Sequence, residues 1–185
     1  MGCNKLLAHF FLVFGSTSIA LGQVADFPTI SGQNLVDQEV TLPTSNDKVT
    51  LIALAYSKKS DEYLKDWLQP VYQNFINPPK SSFIPMEPYD VNIYFVALLK
   101  GIAKTAKGKV ESGLNKNLDP EYHPYTLIST DDFKPLKDAL KFGRKDYPYF
   151  FVVDKAGKIV YRTEGIYTTA KMQEIVNKVD EHSMK

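Results

Sequence analysis

The hydrophobic pattern is clearest near the C-terminus, where two apolar segments flank a short polar turn. Tyr149 to Val153 is apolar at every position, which is typical of a strand buried on both faces. Ile159 to Arg162 alternates apolar and polar residues, which indicates an edge strand with one solvated side. Between them, Asp154 can cap the turn with its carboxylate, and Gly157 can supply the positive φ of a bulged turn. The pattern therefore predicts a β-hairpin.

Two earlier apolar runs, Lys48 to Ala55 and Val91 to Leu99, predict strands of the same sheet. The segment between them predicts a long amphipathic helix, because its apolar residues recur every four positions. These residues are Tyr63, Leu64, Trp67, Leu68, Val71, Tyr72, Phe75 and Ile76. Since a long helix separates the two strands, we expect them to be parallel.

The start of this helix is predicted at Ser60, whose hydroxyl can accept hydrogen bonds from free backbone N–H groups. Asp61 and Glu62 would stabilise its positive end. Pro70 lies inside the helix and predicts a kink near Asp66 to Trp67 rather than two separate helices. The proline-rich connection that follows, residues 77–90, is either a spacer or a recognition loop.

The remaining segments complete an alternating order of strands and helices. Residues 26–43 contain short β-prone pieces that predict an N-terminal hairpin, and Tyr125 to Ser129 predicts a short strand. Asp131 or Asp132 is expected to cap one helix, and Thr168 or Thr169 the last one. This order predicts an α/β fold with a mixed sheet and helices on both faces.

Residues 101–117 form the most basic part of the chain and predict a helical insertion. Its apolar residues recur at helical spacing, so its lysines should lie mainly on the opposite face. The apolar residues are Ile102, Ala106, Val110 and Leu114. The lysines can be interpreted as a solvated face or as an anion site.

The length, net charge and cysteine content of the chain exclude some classes of function. The chain has 185 residues and a formal net charge of +1, which fits one globular domain and argues against nucleic acid or an anionic membrane as partner. Met1 to Gly22 predicts a signal peptide, with a retained anchor as the alternative, and residues 23–185 would be the mature domain. The mature protein is then exported, periplasmic or extracellular, and free of the membrane. It would contain no cysteine, because the single cysteine is Cys3.

Four pieces of the chain together resemble a known family: Asp26-Phe27-Pro28, Val49 to Ala55, Tyr125 to Asp131, and Tyr147-Pro148 leading to Gly165. They are similar to the thioredoxin-like fold of the redoxin branch, which includes the peroxiredoxins. This resemblance implies a three-layer α/β fold with a mixed central sheet. It also implies that Pro148 is the cis-proline that faces the active-site turn of the family.

The resemblance places the active-site turn of the family at Tyr56-Ser57-Lys58-Lys59-Ser60-Asp61, where no residue is a cysteine. Thiol exchange requires a thiolate, so thiol redox catalysis by the mature chain alone is excluded. A serine nucleophile would need a base, and the histidines outside the predicted signal peptide, His123 and His182, lie in a loop and in the tail. We expect no catalytic residue, no metal site and no cofactor.

What remains is a protein or peptide partner, held against the turn and the residue before Pro148 by strand addition. Tyr56, Ser57, Lys58, Tyr147 and Pro148 would form this surface, although both tyrosines could instead pack in the core. The final hairpin is also similar to the cysteine-free thioredoxin-like factors that help assemble mitochondrial ATP synthase. The alternative is a redoxin-family oxidoreductase that uses a partner's thiols or a non-thiol site.

Overall fold

The computed structural model describes residues 25–78 and 89–183. The strands of these residues are β1 (Ile30–Asn34), β2 (Glu39–Leu42), β3 (Val49–Ala55), β4 (Val91–Leu98), β5 (Thr126–Ser129), β6 (Tyr149–Val153) and β7 (Ile159–Glu164). Their α-helices are α1 (Lys58–Val71), α2 (Lys107–Asn117), α3 (Phe133–Ala139) and α4 (Thr169–Ser183). The predicted signal peptide and most of the predicted proline-rich connection lie outside the described residues.

The strands form one mixed sheet in the order β2-β1-β5-β4-β3-β6-β7. β3, β4 and β5 are parallel, whereas β1 is antiparallel to β2 and β5, and β6 is antiparallel to β3 and β7. Gly32 lets β1 approach β5, because a Cβ at this position would lie 2.4 Å from the carbonyl oxygen of Ile128. The predicted N-terminal hairpin, the parallel pair and the final hairpin at the edge are all confirmed.

The alternation of side chains along β3 divides the core into two layers. Leu51 and Ala53 face α1 and α4, and pack with Trp67 in one buried cluster. Ile52 and Leu54 face the opposite side, in the cluster that includes Leu136 and Leu140 of the α3 region. Helices therefore cover both faces of a fully buried central strand, as the predicted three-layer architecture requires.

The final hairpin has the predicted turn chemistry. The Asp154 carboxylate accepts hydrogen bonds from the backbone N–H groups of Ala156 and Lys158, both at 2.9 Å. Gly157 has a φ of 80°, a conformation that glycine adopts without the steric cost of a side chain. This turn fixes the register in which β6 pairs with β7.

The first helix differs from the prediction at both ends. Its N-cap is Ser57 rather than Ser60, because the Ser57 hydroxyl is placed to accept the Ser60 N–H. The helix continues through Pro70 to Val71 without dividing, as predicted. It changes to π geometry at Tyr72–Ile76, so the departure from α geometry follows the proline rather than preceding it.

The helical insertion also differs from its prediction. Gly101–Ala106 is a 3₁₀ segment, and α2 begins only at Lys107. Because a 3₁₀ helix turns faster than an α-helix, Ile102 is not aligned with Val110 and Leu114, and its side chain is 88% exposed. Val110 and Leu114 do pack on a small cluster around Ile128, so they form part of the apolar helix face that the spacing predicts.

Three smaller predictions have mixed outcomes. Thr168 accepts a hydrogen bond from Lys171 N–H at the start of α4, as predicted. Asp132 occupies the N-cap position of α3, but its side chain makes no capping hydrogen bond and pairs with Lys104 instead. Asp131 accepts a hydrogen bond from the backbone N–H of Ser31.

The expected cis bond at Pro148 is wrong. The cis X-Pro bond in the described residues is Leu42–Pro43, whereas Tyr147–Pro148 is trans. Trans is the ordinary preference of an X-Pro bond by about 0.5–1 kcal/mol, so a cis bond is expected only where the surroundings require it. Pro148 therefore lacks the geometry of the cis-proline that the redoxin resemblance implies.

Candidate functional site

The turn after β3 is built around two serines that cap α1 reciprocally. The backbone N–H of Ser60 donates to the Ser57 hydroxyl at 3.1 Å, and the backbone N–H of Ser57 donates to the Ser60 hydroxyl at 2.9 Å. This capping box satisfies backbone groups that the first helical turn leaves free. The turn is therefore held in one conformation by its own side chains.

The same turn contacts the loop that leads to Pro148. The Ser57 hydroxyl donates to the carbonyl oxygen of Lys145 at 2.7 Å, and the ammonium of Lys59 lies 3.7 Å from the Asp146 carboxylate. The rings of Tyr63 and Tyr147 stack with their centroids 5.7 Å apart. The structure thus brings the predicted turn, Tyr56 to Asp61, next to the segment before Pro148.

The eight predicted site residues divide into buried and accessible groups. Tyr56 is only 6% exposed and stacks on Phe142 and Tyr149, so it adopts the core-packing alternative that the sequence left open for it. Its side chain belongs to the face of β3 that Ile52 and Leu54 also share. Ser60 and Pro148 are buried as well. The accessible residues are Ser57, Lys58, Lys59, Asp61 and Tyr147.

Two residues that the sequence did not single out for this site complete a small surface, which we call the tyrosine–arginine patch: Tyr63, Arg144 and Tyr147. The Arg144 guanidinium lies 5.0 Å from the centroid of the Tyr147 ring, and its Nε donates to Glu164 at 3.0 Å. The patch is therefore held from two sides, by a ring on α1 and by a carboxylate on β7. The only sequence signal for Arg144 was that it is a basic residue four positions before Pro148.

The chemistry of this site is limited by its groups. Ser57 is placed beside Ser60 and the Lys145 carbonyl, neither of which is a base that could remove its proton. His123 lies elsewhere, with Nε2 3.0 Å from the carbonyl oxygen of Leu118. Within residues 25–78 and 89–183, no group of histidine, cysteine, aspartate and glutamate residues is arranged to hold a metal ion.

A groove of about 510 Å³ opens beside the turn, between α1 and α2. Its floor includes Ala55, Phe95 and Ala97, in the C-terminal halves of β3 and β4. Lys58 and Asp61 line its edge. The sequence did not predict this groove, because it depends on where the helical insertion lies relative to α1.

The Asp61 carboxyl group is perturbed by this position. Desolvation raises its pKa from 3.8 to about 6, while Lys65 opposes the shift and Glu62 adds to it. The residue as a whole is exposed, so screening by solvent limits the energetic effect. Asp61 is the acidic residue among those that line the groove.

The sheet order, the helix that begins directly after β3 and the hairpin after Pro148 define a protein of the thioredoxin-like α/β class. A family model described as ATP10 protein matches residues 18–181 of the sequence. Because this match covers most of the 185 residues, the chain belongs to the ATP10 protein family. A search of curated proteins finds no match.

Solved structures support the fold. BsSco, a member of the Sco family of cytochrome c oxidase assembly proteins, is 11% identical, with a TM-score of 0.54 over 88% of this chain and 95% of its own. The exposed lipoprotein thioredoxin Etrx1 of Streptococcus pneumoniae is 13% identical, with a TM-score of 0.54 over 83% and 99%. StoA from Bacillus subtilis is 14% identical, with a TM-score of 0.51 over 81% and 97%.

These comparisons confirm the predicted thioredoxin-like fold and place the chain in the ATP10 protein family. At such low identities the solved structures show the fold alone, so the more specific redoxin branch stays a prediction. Among the described residues, no helix has the length and apolar character that a membrane crossing requires.

The perturbed carboxyl group gives a testable pH dependence. Because the folded state binds the Asp61 proton more tightly than the unfolded state, protonation of Asp61 stabilises the fold. This contribution to stability is fully present below pH 3.8 and is lost as the pH rises through about 6. Wild type should therefore lose stability over this interval relative to Asp61→Asn. NMR titration of the carboxyl carbon and denaturant unfolding measure the two effects, with Asp66→Asn, at an exposed position of the same helix, as control. A folded-state pKa near 3.8 would contradict the assignment.

Proposed function

We propose that this protein is a non-catalytic, exported protein-binding module that helps to assemble another protein or complex. The observation that carries the proposal is the role of Ser57. Its hydroxyl stands at the start of α1, where the redoxin resemblance implies an attacking thiol, and it is used to cap the helix and to hold the Lys145 loop. The single cysteine of the chain, Cys3, lies far from this turn in the sequence.

The family supports a role in assembly rather than in redox chemistry. The chain belongs to the ATP10 protein family, and its final hairpin is similar to the cysteine-free factors that help assemble mitochondrial ATP synthase. BsSco, which shares the fold, is itself named as a member of a family of assembly proteins. Thiol exchange cannot proceed without a thiolate, whereas binding of a polypeptide needs only a suitable surface.

The tyrosine–arginine patch is the surface that we assign to the partner. Tyrosine and arginine are enriched at the centres of protein interfaces, because they bury a large area and also form directional polar contacts. Pro148 already accepts the backbone N–H of Gly165 at 3.0 Å, so an extended peptide would pair with the backbone of Tyr147 instead. Lys59 lies at the edge of the patch, 5.9 Å from the Tyr63 ring.

Co-purification of the full-length protein from its own host tests this surface. Lys59→Glu/Tyr147→Ala should reduce the amount of bound partner on the order of tenfold, as expected for loss of an interfacial tyrosine. Lys134→Glu on α3, an exposed lysine that is not part of the patch, is the control and should leave the partner bound. Thermal unfolding of each variant separates lost binding from lost folding.

Two results would overturn the proposal. One is an unchanged set of partners for Lys59→Glu/Tyr147→Ala, which would mean that the wrong face has been assigned. The other is reduction of insulin disulfides or consumption of peroxide above the buffer rate by the purified protein. Such turnover would favour an oxidoreductase and would rule out a purely binding role.

The proposed export of the protein is tested separately from its binding surface. The apolar segment Leu6 to Ile19 follows a basic residue and ends before small residues, which supports removal of Met1 to Gly22. N-terminal sequencing of the protein isolated from its host should therefore begin at Gln23. A native protein that retains Met1 in the compartment of synthesis would contradict the export proposal without affecting the assignment of the binding surface.

A further inference from the structure

The groove between α1 and α2 is bounded on one side by a single face of α1. The residues of this wall recur at helical spacing over about three turns, which corresponds to about 15 Å of helix. They are Lys58, Asp61, Leu64, Lys65 and Leu68. Lys58 and Asp61 lie in its first turn, whereas Leu64 and Leu68 follow with Lys65 between them. This wall can therefore contact an apolar body that carries a polar group.

The opposite wall is formed by α2, which is loosely packed. None of its residues is buried, and Val110 and Leu114 are only half-buried against the cluster around Ile128. Gly113 also lines the groove, and a Cβ at this position would meet no atom within 4 Å. The absence of a side chain at Gly113 therefore leaves apolar space that the fold does not fill.

The edge of the groove is basic. Four lysines line it, against the single carboxylate of Asp61. They are Lys58, Lys65, Lys100 and Lys109. Lys58 and Lys109 are exposed, and neither forms an ion pair with any residue in the described part of the chain. The Lys100 ammonium lies 4.6 Å and 4.5 Å from the ring centroids of Tyr56 and Phe133. The positive charge of this edge is complementary to an anion.

We propose that the groove binds a long-chain carboxylate as a monomer, with the acyl chain along the apolar floor and the carboxylate among the lysines. A volume of about 510 Å³ lies within the range of about 300–1,000 Å³ that small-molecule pockets occupy. Such a ligand is complementary to both parts of the groove: its acyl chain fits the apolar interior, and its carboxylate fits the cationic edge. This site is distinct from the tyrosine–arginine patch, and its existence does not depend on the proposed partner.

Dodecanoate, below its critical micelle concentration, is the probe for the apolar interior, and calorimetry measures its affinity for the full-length protein. Each further methylene along the series from octanoate should tighten binding about fourfold, which is about 0.8 kcal/mol per buried CH₂ expressed as a ratio. Gly113→Leu should abolish binding, because the new side chain occupies the groove. Gly108→Leu is the matched control, since Gly108 lies on the same helix in open space and does not line the groove.

The two glycine variants should both fold, because leucine has a higher helix propensity than glycine and meets no obstruction at either position. If either glycine variant does not fold, the lysine variants still test the proposal. Lys58→Glu/Lys109→Glu should weaken dodecanoate binding about tenfold or more, whereas Lys116→Glu, also on α2 but outside the groove, should change it little. Asp61→Asn should tighten binding, because it removes the carboxylate that faces the ligand.

The proposal is overturned by any of four results. These are no dodecanoate binding, equal binding of dodecylammonium, equal effects of Gly113→Leu and Gly108→Leu when both variants are folded, and binding that requires anionic phospholipid vesicles rather than the monomer. None of these results bears on the partner of the tyrosine–arginine patch. Conversely, loss of the partner in Lys59→Glu/Tyr147→Ala with unchanged dodecanoate binding would separate the two sites.

Discussion

The site depends on the hydrogen bonds of the Ser57 hydroxyl, because they join the end of β3, the start of α1 and the loop before Pro148. Ser57 ends the connection from β3, it accepts a hydrogen bond that starts α1, and it donates to the loop that precedes Pro148. A helix cap contributes about 0.5–2 kcal/mol and a further hydrogen bond about 0.5–1.5 kcal/mol. One side chain thus fixes the position of the turn relative to the final hairpin.

The orientation that Ser57 imposes determines what each face of α1 presents. Lys59 and Tyr63 point towards the loop before Pro148, and Trp67, about one turn after Tyr63, donates to the carbonyl oxygen of Gly165 at 3.2 Å. Asp61 and Lys65 lie on the side of the helix that borders the groove. Helical periodicity therefore separates two surfaces on one element, an aromatic and cationic patch and an apolar groove with a basic edge.

Much of the fold could be predicted from the sequence because its strongest signals are local. The apolar run of β6, the alternation of β7 and the turn residues Asp154 and Gly157 together specify a hairpin without reference to the rest of the chain. The proximity of the turn Tyr56 to Asp61 to the segment before Pro148 could be predicted only through the family resemblance, since nothing in the sequence alone relates positions so far apart.

The features that were predicted wrongly or missed depend on tertiary placement. The alternation Ile52, Leu54, Tyr56 continues the strand period and could have indicated that Tyr56 is a core residue. Ile102 was misplaced because the insertion begins with a 3₁₀ segment, which no composition signal distinguishes from an α-helix. The groove had no sequence signal, because it is a space between two helices and not a motif.

The most direct test of this account is the stability of Ser57→Ala, measured by denaturant unfolding together with hydrogen exchange at the Ser60 amide. The account predicts a loss of about 1–3 kcal/mol and faster exchange, because the cap and the bond to the Lys145 carbonyl are removed together. Ser57→Thr, which keeps a hydroxyl, should retain most of both. A Ser57→Ala protein as stable as the wild type, with an unchanged Ser60 amide, would contradict the claim that this hydroxyl holds the site together.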